Sequence, residues 1–219
     1  FNSLLKYTKS FAVALGYRDF PTQLHSERVH GLSKMIGKFC GLSNNQINIL
    51  DIASSFHDIG KIGIPDHILS KPNPLDASEW DVIKQHSEIG EDIIISTELE
   101  GSRQVALLIR HHHEHYDGMG YPDKLSGENI PICSRIISIA DSYDAMAMTR
   151  PYHHARTHLE IMAVLHEETG KKHDPELMRA FCKVIESSEF RAENYNNLGQ
   201  ALKVRFSHPE RQVLVENIR

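Results

Sequence analysis

Cysteine is scarce. Only Cys40, Cys133 and Cys182 occur in 219 residues, and no two stand at CxxC spacing. That excludes a disulfide framework and a thiolate-built structural zinc site, and it favours a reducing, cytoplasmic setting. Long apolar runs are missing too. Nothing approaches the ~18–20 residues of a membrane span, and no signal-peptide pattern appears. Basic charge is not in excess either, since 24 Lys and Arg against 29 Asp and Glu leave a net charge of −5. General affinity for DNA or an acidic membrane is thereby excluded, so a phosphate ligand must be drawn by local features. Alternating β-type stretches are few, and there is no internal repeat. With 40% apolar residues the chain can bury one substantial core.

The pattern that remains is helical. His25, Val29, Leu32, Met35/Ile36 and Phe39 recur at helical spacing, and Gly41 stops them. Ser43 to Gln46 reads as a capping box, opening a helix with Ile47, Leu50, Ala53/Ser54 and His57 on one face and ending at Gly60. Residues 65–74 read as a loop. Asp76 to Glu79 is a second capping box, starting a helix with Trp80, Ile83, His86/Ser87 and Gly90 on one side. A helix over 102–113 aligns Val105, Leu108/Ile109 and His112. Residues 117–131 form a long ordered loop rich in glycine and proline, of the kind that carries function. The next helix, 132–148, puts Ile137, Ala140/Asp141, Asp144 and Met148 on one face. Two more follow near 159–168 and 175–186. The expectation is an all-α bundle: an N-terminal helix in 1–24 leading into the core, a domain over 25–188, and a less regular tail over 189–219.

What the chain has in abundance is histidine, 15 residues of it. Solvated surface is the plain reading for His30, His67, His153, His154, His158, His166, His173 and His208. The others are different. His25, His57, His86, His112 and Asp141 each stand where an apolar stripe would otherwise continue, and Asp58 and His113 are next to two of them. Burying so many titratable groups costs several kcal/mol each unless they are paired or metal-bound. Taken singly, each has an ordinary reading: a satisfied core histidine, a chance His-Asp dipeptide, a surface histidine run. Taken together, they predict a metal cluster. Imidazole and carboxylate donors suit iron, manganese, zinc, cobalt or nickel. Seven ligands exceed the needs of one ion, and two ions ~3.5–4 Å apart suit in-line attack at phosphorus by a bridging hydroxide.

These residues resemble the HD-GYP domain, a bacterial branch of the HD phosphohydrolase superfamily. The match runs through His25-Ser26-Glu27-Arg28-Val29, His57-Asp58-Ile59-Gly60-Lys61-Ile62-Gly63-Ile64-Pro65 and Leu69-Ser70-Lys71-Pro72. It continues in His86-Ser87-Glu88-Ile89-Gly90, His112-His113-Glu114 and Asp117-Gly118-Met119-Gly120-Tyr121-Pro122. Gly127 to Pro131, Arg135-Ile136, Asp141-Ser142-Tyr143-Asp144-Ala145, Arg150-Pro151-Tyr152 and His173-Asp174-Pro175 close it.

The resemblance implies an HD-superfamily bundle that hydrolyses a cyclic dinucleotide with two divalent metal ions, iron or manganese first, with nickel, cobalt or zinc also compatible. It implies His25, His57, Asp58 and Asp141 around one ion, with Asp58 bridging to a second held by His86, His112 and His113. Lys61 matches the lysine beside the metals and would hold a phosphate oxygen or protonate the leaving 3′ oxygen. Asp144, Arg150, Tyr121 and His153 match substrate-side positions, Arg150 being suited to a phosphate or a guanine edge.

Three positions depart from the family pattern. Pro21 stands where some members carry a Glu that binds a third metal, which points to two ions here and leaves His25 the weakest ligand assignment. His153 replaces the usual Lys or Arg after Arg-Pro-Tyr, which keeps both cyclic di-GMP and 3′,3′-cyclic GMP–AMP open as substrates. His111 precedes the usual pair, turned ~100° away along the helix, and is left outside the site. The alternative is a catalytically weak module that docks a diguanylate-cyclase-type protein through its GYP loop. A di-iron oxygenase or mononucleotide phosphatase is disfavoured by that loop and by Arg150. Homodimerisation is compatible with the sequence.

Overall fold

The structure is a computed structural model, which describes residues 3–4, 20–148 and 155–195. Its helices are α1 (Phe20–Phe39), α2 (Asn44–Phe56), α3 (Asp66–Leu69), α4 (Ala77–Lys84) and α5 (His86–Ile95), then α6 (Ser102–Arg110), α7 (Ile132–Ala147), α8 (His158–Glu167) and α9 (Pro175–Ile185). Short 3-10 turns occupy Ile59–Gly63, Gly127–Asn129 and Ala192–Asn194. No strand forms among the described residues, so the all-α expectation holds.

The starts of these helices follow from local chemistry. Ser43 accepts from the Gln46 N–H, and Gln46 Oε1 accepts from the Ser43 N–H at 3.0 Å. Asp76 and Glu79 make the second reciprocal cap, and Thr157 and Glu160 a third. Asp174 caps α9, whose first residue is Pro175. Gly41, at φ 74°, ends the loop turn after α1 as expected.

Packing centres on α1, which lies against α2, α7 and α9, while α5 lies against α6 and the first 3-10 turn. Val29, Leu32 and Ile36 of α1 meet Leu50 and Ala53 of α2, Ile136 and Ile137 of α7, and Phe181 of α9 in one buried core. Each such side chain contributes roughly 1.5–3 kcal/mol by leaving water. No helix among the described residues is long and apolar enough to cross a membrane.

Several expectations change. The helix read from 76 to 90 is two, broken at Gln85, and the break places His86 at the first position of α5. The 102–113 helix stops at Arg110, and the 44–60 helix at Phe56. Residues 66–69 of the expected loop form one helical turn. Phe39 and Trp80, read as core-facing, are 53% and 50% exposed: Phe39 is the last residue of α1, and Trp80 sits on α4, a helix that buries none of its side chains. His67 and His166 are exposed as expected and His30 half-buried, but His158 and His173 are buried. His158 is satisfied by the Tyr143 hydroxyl at 2.8 Å, and His173 lies 3.2 Å from Glu168. His153, His154 and His208 lie outside the described residues, as does most of 1–24. α1 runs across residue 25 without interruption, and Phe190 and Tyr195, assigned to the tail, are part of the core.

Candidate metal centre

Helix ends converge on one point. His57 and Asp58 follow the last turn of α2, His86 opens α5, and His112 and His113 sit in the turn after α6. His25 and Asp141 come from within α1 and α7. The close meeting of the α2 exit with α5 depends on Gly60. A Cβ there would stand 1.9 Å from the His86 carbonyl oxygen, so only glycine lets the two backbones touch.

Three of the rings have their tautomer set by the backbone. His57 Nδ1 donates to Ser54 O at 2.8 Å, His86 Nδ1 to Ile83 O at 2.7 Å, and His112 Nδ1 to Ile109 O at 2.6 Å. A carbonyl only accepts, so in each neutral ring the proton is on Nδ1 and the Nε2 lone pair faces inward. His57 Nε2 is buried with no hydrogen-bond partner, and the Nε2 atoms of His86 and His112 face each other at 3.4 Å. Two inward lone pairs at that separation repel unless a cation lies between or beside them. The residues present therefore fit divalent metal, and the imidazole and carboxylate donor set suits a first-row ion.

Asp58 sits between two donor groups. Its Oδ2 is 3.6 Å from His57 Nε2 and 3.8 Å from His25 Nε2, while its Oδ1 is 3.6 Å from His86 Nε2. His25, His57 and Asp58 form one group of converging donor atoms, and His86, His112 and His113 another, each within 4.8 Å. Asp141 Oδ1 closes on His25 Nε2 at 3.1 Å. Lys61 Nζ lies 2.5 Å from Asp58 Oδ2.

The charges are arranged accordingly. Burial would raise the Asp58 carboxyl, but Lys61, then His57, His86 and His25, hold it well below its ordinary value. Asp141 is held down against burial by His25. Burial, reinforced by His57 and His86, pushes His112 down to about 3, and His113 is also driven well below its usual value. Those rings are therefore neutral at pH 7, the form in which an imidazole can donate to a metal. His25 goes the other way. Burial lowers it, yet the Asp141 and Asp144 carboxylates outweigh that and raise it to about 9.

The remaining candidates separate. Tyr121 stacks on His113, with ring centroids 4.9 Å apart. Asp144 is fully buried behind His25: its Oδ2 accepts from His25 Nδ1 at 2.7 Å, and Arg28 binds both of its oxygens. Arg150 and His153 lie outside the described residues. His111, left out of the site in the sequence reading, is buried and not idle. With Glu114 and Asp123 it forms a third group of donors. Arg110 already fills that position, contacting Asp123 at 2.7 and 2.8 Å, while Glu114 accepts from the Asp123 and Leu125 N–H groups. This group anchors the loop that carries Tyr121. Sequence reasoning did not assign roles to Arg28, Glu114 or Asp123. The available signal for Arg28 was its place one turn from His25 on the same face.

The model of a family described as HD domain matches residues 11–177. The chain belongs to the HD domain family. Among HD-domain relatives it is 38% identical over 172 residues to "Cyclic di-GMP phosphodiesterase response regulator RpfG" of Xanthomonas campestris, covering 78% of this chain and 46% of that protein. It is 35% identical over 169 residues to a "3'3'-cGAMP-specific phosphodiesterase" of Vibrio cholerae, covering 77% of this chain and 32% of that one. The chain thus spans less than half the length of these curated relatives. The solved structure of an HDG"Y"P protein from Bdellovibrio bacteriovorus matches with a TM-score of 0.61 at 17% identity, over 74% of this chain and 52% of that one, which supports the helical fold. The HD-GYP resemblance read from the motifs holds.

Proposed function

We propose that this HD domain is the catalytic unit of a phosphodiesterase that opens a 3′,5′-cyclic dinucleotide to a linear, 5′-phosphorylated dinucleotide. The observation that carries the reading is Asp58, whose two oxygens face two separate donor groups. The relatives' names, which divide between cyclic di-GMP and 3'3'-cGAMP, give the substrate class. Two divalent ions, iron or manganese first, would be held by His25, His57, Asp58 and Asp141 and by Asp58, His86, His112 and His113, and when bound they supply Lewis acidity and an acidified water.

The protein groups do the rest. A water oxygen joins phosphorus, the bond to the 3′ oxygen breaks, and the phosphate stays on the 5′ side. Lys61, its ammonium 2.5 Å from Asp58, is placed to neutralise a phosphoryl oxygen or to give its proton to the leaving 3′ oxygen. Tyr121, flat against His113, limits how a nucleotide can approach. We assign Arg150 to a phosphate or guanine edge, and His153, without a fixed charge, to the choice of base.

The test is chromatographic product analysis with cyclic di-GMP and 3′,3′-cyclic GMP–AMP side by side, in Mn²⁺ and in Fe²⁺. Linear dinucleotide from either substrate supports the reading. No product from metal-loaded protein would leave the docking role, for which Met119, 78% exposed on the same loop, is the available surface and a diguanylate-cyclase-type protein the partner.

A further inference from the structure

We propose that the segment after α9, Ser188–Tyr195, is a strap that holds His25 in its ligating position from behind, through Tyr195, Arg28 and Asp144. The proposal rests on the two-ion reading of the centre. It concerns residues outside the family match, which ends at residue 177.

The chain of contacts is continuous and buried. His25 directs Nε2 to the centre, 3.1 Å from Asp141, and gives Nδ1 to Asp144 Oδ2 at 2.7 Å. Arg28, one turn along α1, grips Asp144 in a fork, Nε to Oδ1 at 2.7 Å and Nη2 to Oδ2 at 2.9 Å. The guanidinium carbon lies 5.2 Å from the centroid of the Tyr195 ring, on its face. Arg28, Asp144 and Tyr195 are all buried, so water does not compete for these contacts.

The strap itself is fastened at two further points. Phe190 lies directly on the bare backbone of α1 at Gly31, where a Cβ would stand 2.2 Å from Phe190 Cζ. The Ala192 N–H donates to the Tyr143 hydroxyl at 2.9 Å, and Tyr143 is the neighbour of Asp144 on α7. The strap therefore staples α1 to α7, the helices that carry His25 and Asp141. Neither contact touches the α5–α6 side, where His86, His112 and His113 sit.

The physical logic is that of a carboxylate behind a ligating histidine. Such a partner fixes ring orientation and tautomer, and its loss typically costs 10–100-fold in metal affinity. Arg28 holds both oxygens of Asp144 and so fixes the direction in which the carboxylate faces His25, and the Tyr195 ring covers the outer face of the guanidinium. Tyr195 is thus a positioning residue acting through two others. Because it reaches only one donor group, its removal should affect one ion and spare the second, which a merely structural role would not do.

The experiment is a Mn²⁺ titration by calorimetry on the full chain, stripped with chelator, with ion content checked by elemental analysis. Wild type is expected to take up two ions. Tyr195→Ala and Arg28→Lys should weaken one of them about 10–100-fold, leaving the other within about threefold, and Tyr195→Phe, which keeps the ring, should match wild type. If Tyr195→Ala does not give a folded helical spectrum, Arg28→Lys decides alone. Unchanged affinity for both ions in folded Tyr195→Ala or in Arg28→Lys, or equal weakening of both ions in either, overturns the strap. Fewer than two ions in wild type overturns the two-ion reading and the strap with it.

Discussion

Lys61 Nζ lies 2.5 Å from Asp58 Oδ2, on a carboxylate whose two oxygens face the two donor groups. The spacing follows from the 3-10 turn, in which the Lys61 N–H bonds back to Asp58 O at 3.0 Å and brings the side chain round to its own N-cap residue. Lys61 thus places an ammonium directly against the carboxylate that faces both donor groups, and it is the strongest of the charges holding that carboxyl down. If it protonates the leaving 3′ oxygen, Lys61→Met should lower kcat about 10²–10⁴-fold, the range of general acid catalysis, with both ions retained. Steady-state kinetics on cyclic di-GMP beside elemental analysis reads this out. A kcat within about threefold of wild type would remove Lys61 from the chemistry.

Gly60→Ala tests how the centre is assembled. The added Cβ would stand 1.9 Å from His86 O and 2.6 Å from Gly90 N, both backbone atoms that cannot swing aside. The α2 exit must then move away from α5, separating His57 and Asp58 from His86. We expect a loss of about 3 kcal/mol in stability, at the upper end for overpacking, together with loss of Mn²⁺ uptake. Denaturant unfolding measures the first, and a variant as stable as wild type would contradict the backbone contact.

Much of this centre was legible in the sequence because a helical stripe that should stay apolar instead carries His25, His57, His86, His112 and Asp141. Burial of a polar group at a core position is a signal that periodicity can read. The break at Gln85 was not legible, since the capping box at Asp76 and the spacing to Gly90 both fit one long helix; the second helix is set by packing of α5 on α6 and the 3-10 turn. Nor was the burial of His158, whose partner Tyr143 belongs to another helix, or of His173, which sits in a turn against Glu168. Asp144 shows the limit most clearly. Its contacts lie 116 and 119 residues away, so a motif position that read as a substrate contact is engaged by Arg28 and His25 instead.

Metal should stabilise the fold as well as drive the chemistry. An ion at a hundredfold excess over its Kd adds about 2.7 kcal/mol, and in a chain of 219 residues each kcal/mol is worth roughly 2–4 °C. Chelator-stripped protein should therefore gain roughly 5–11 °C in Tm on saturation with Mn²⁺. Asp58→Asn should lose most of that gain, because Asp58 serves both donor groups. A thermal scan showing no rise in wild type would count against the metal centre itself.

The loop that carries Tyr121 should loosen in acid. The Arg110 guanidinium holds the Asp123 carboxyl well below its ordinary value; slight burial opposes this and His111 adds to it. A carboxyl lowered in the folded state contributes stability in full above the unfolded value of about 3.9, and that contribution fades as pH falls from there toward the folded value. Anchoring by Asp123 is thus complete from pH 5 upward and weakens below about pH 4. Asp123 is 38% exposed, so the pair is worth no more than about 1 kcal/mol globally. Its effect is local instead: at pH 7, Asp123→Asn should leave Tm nearly unchanged and speed hydrogen exchange at the Tyr121 and Leu125 amides, which bond to His113 O and Glu114. Equal exchange in variant and wild type would show that Glu114 alone holds the loop.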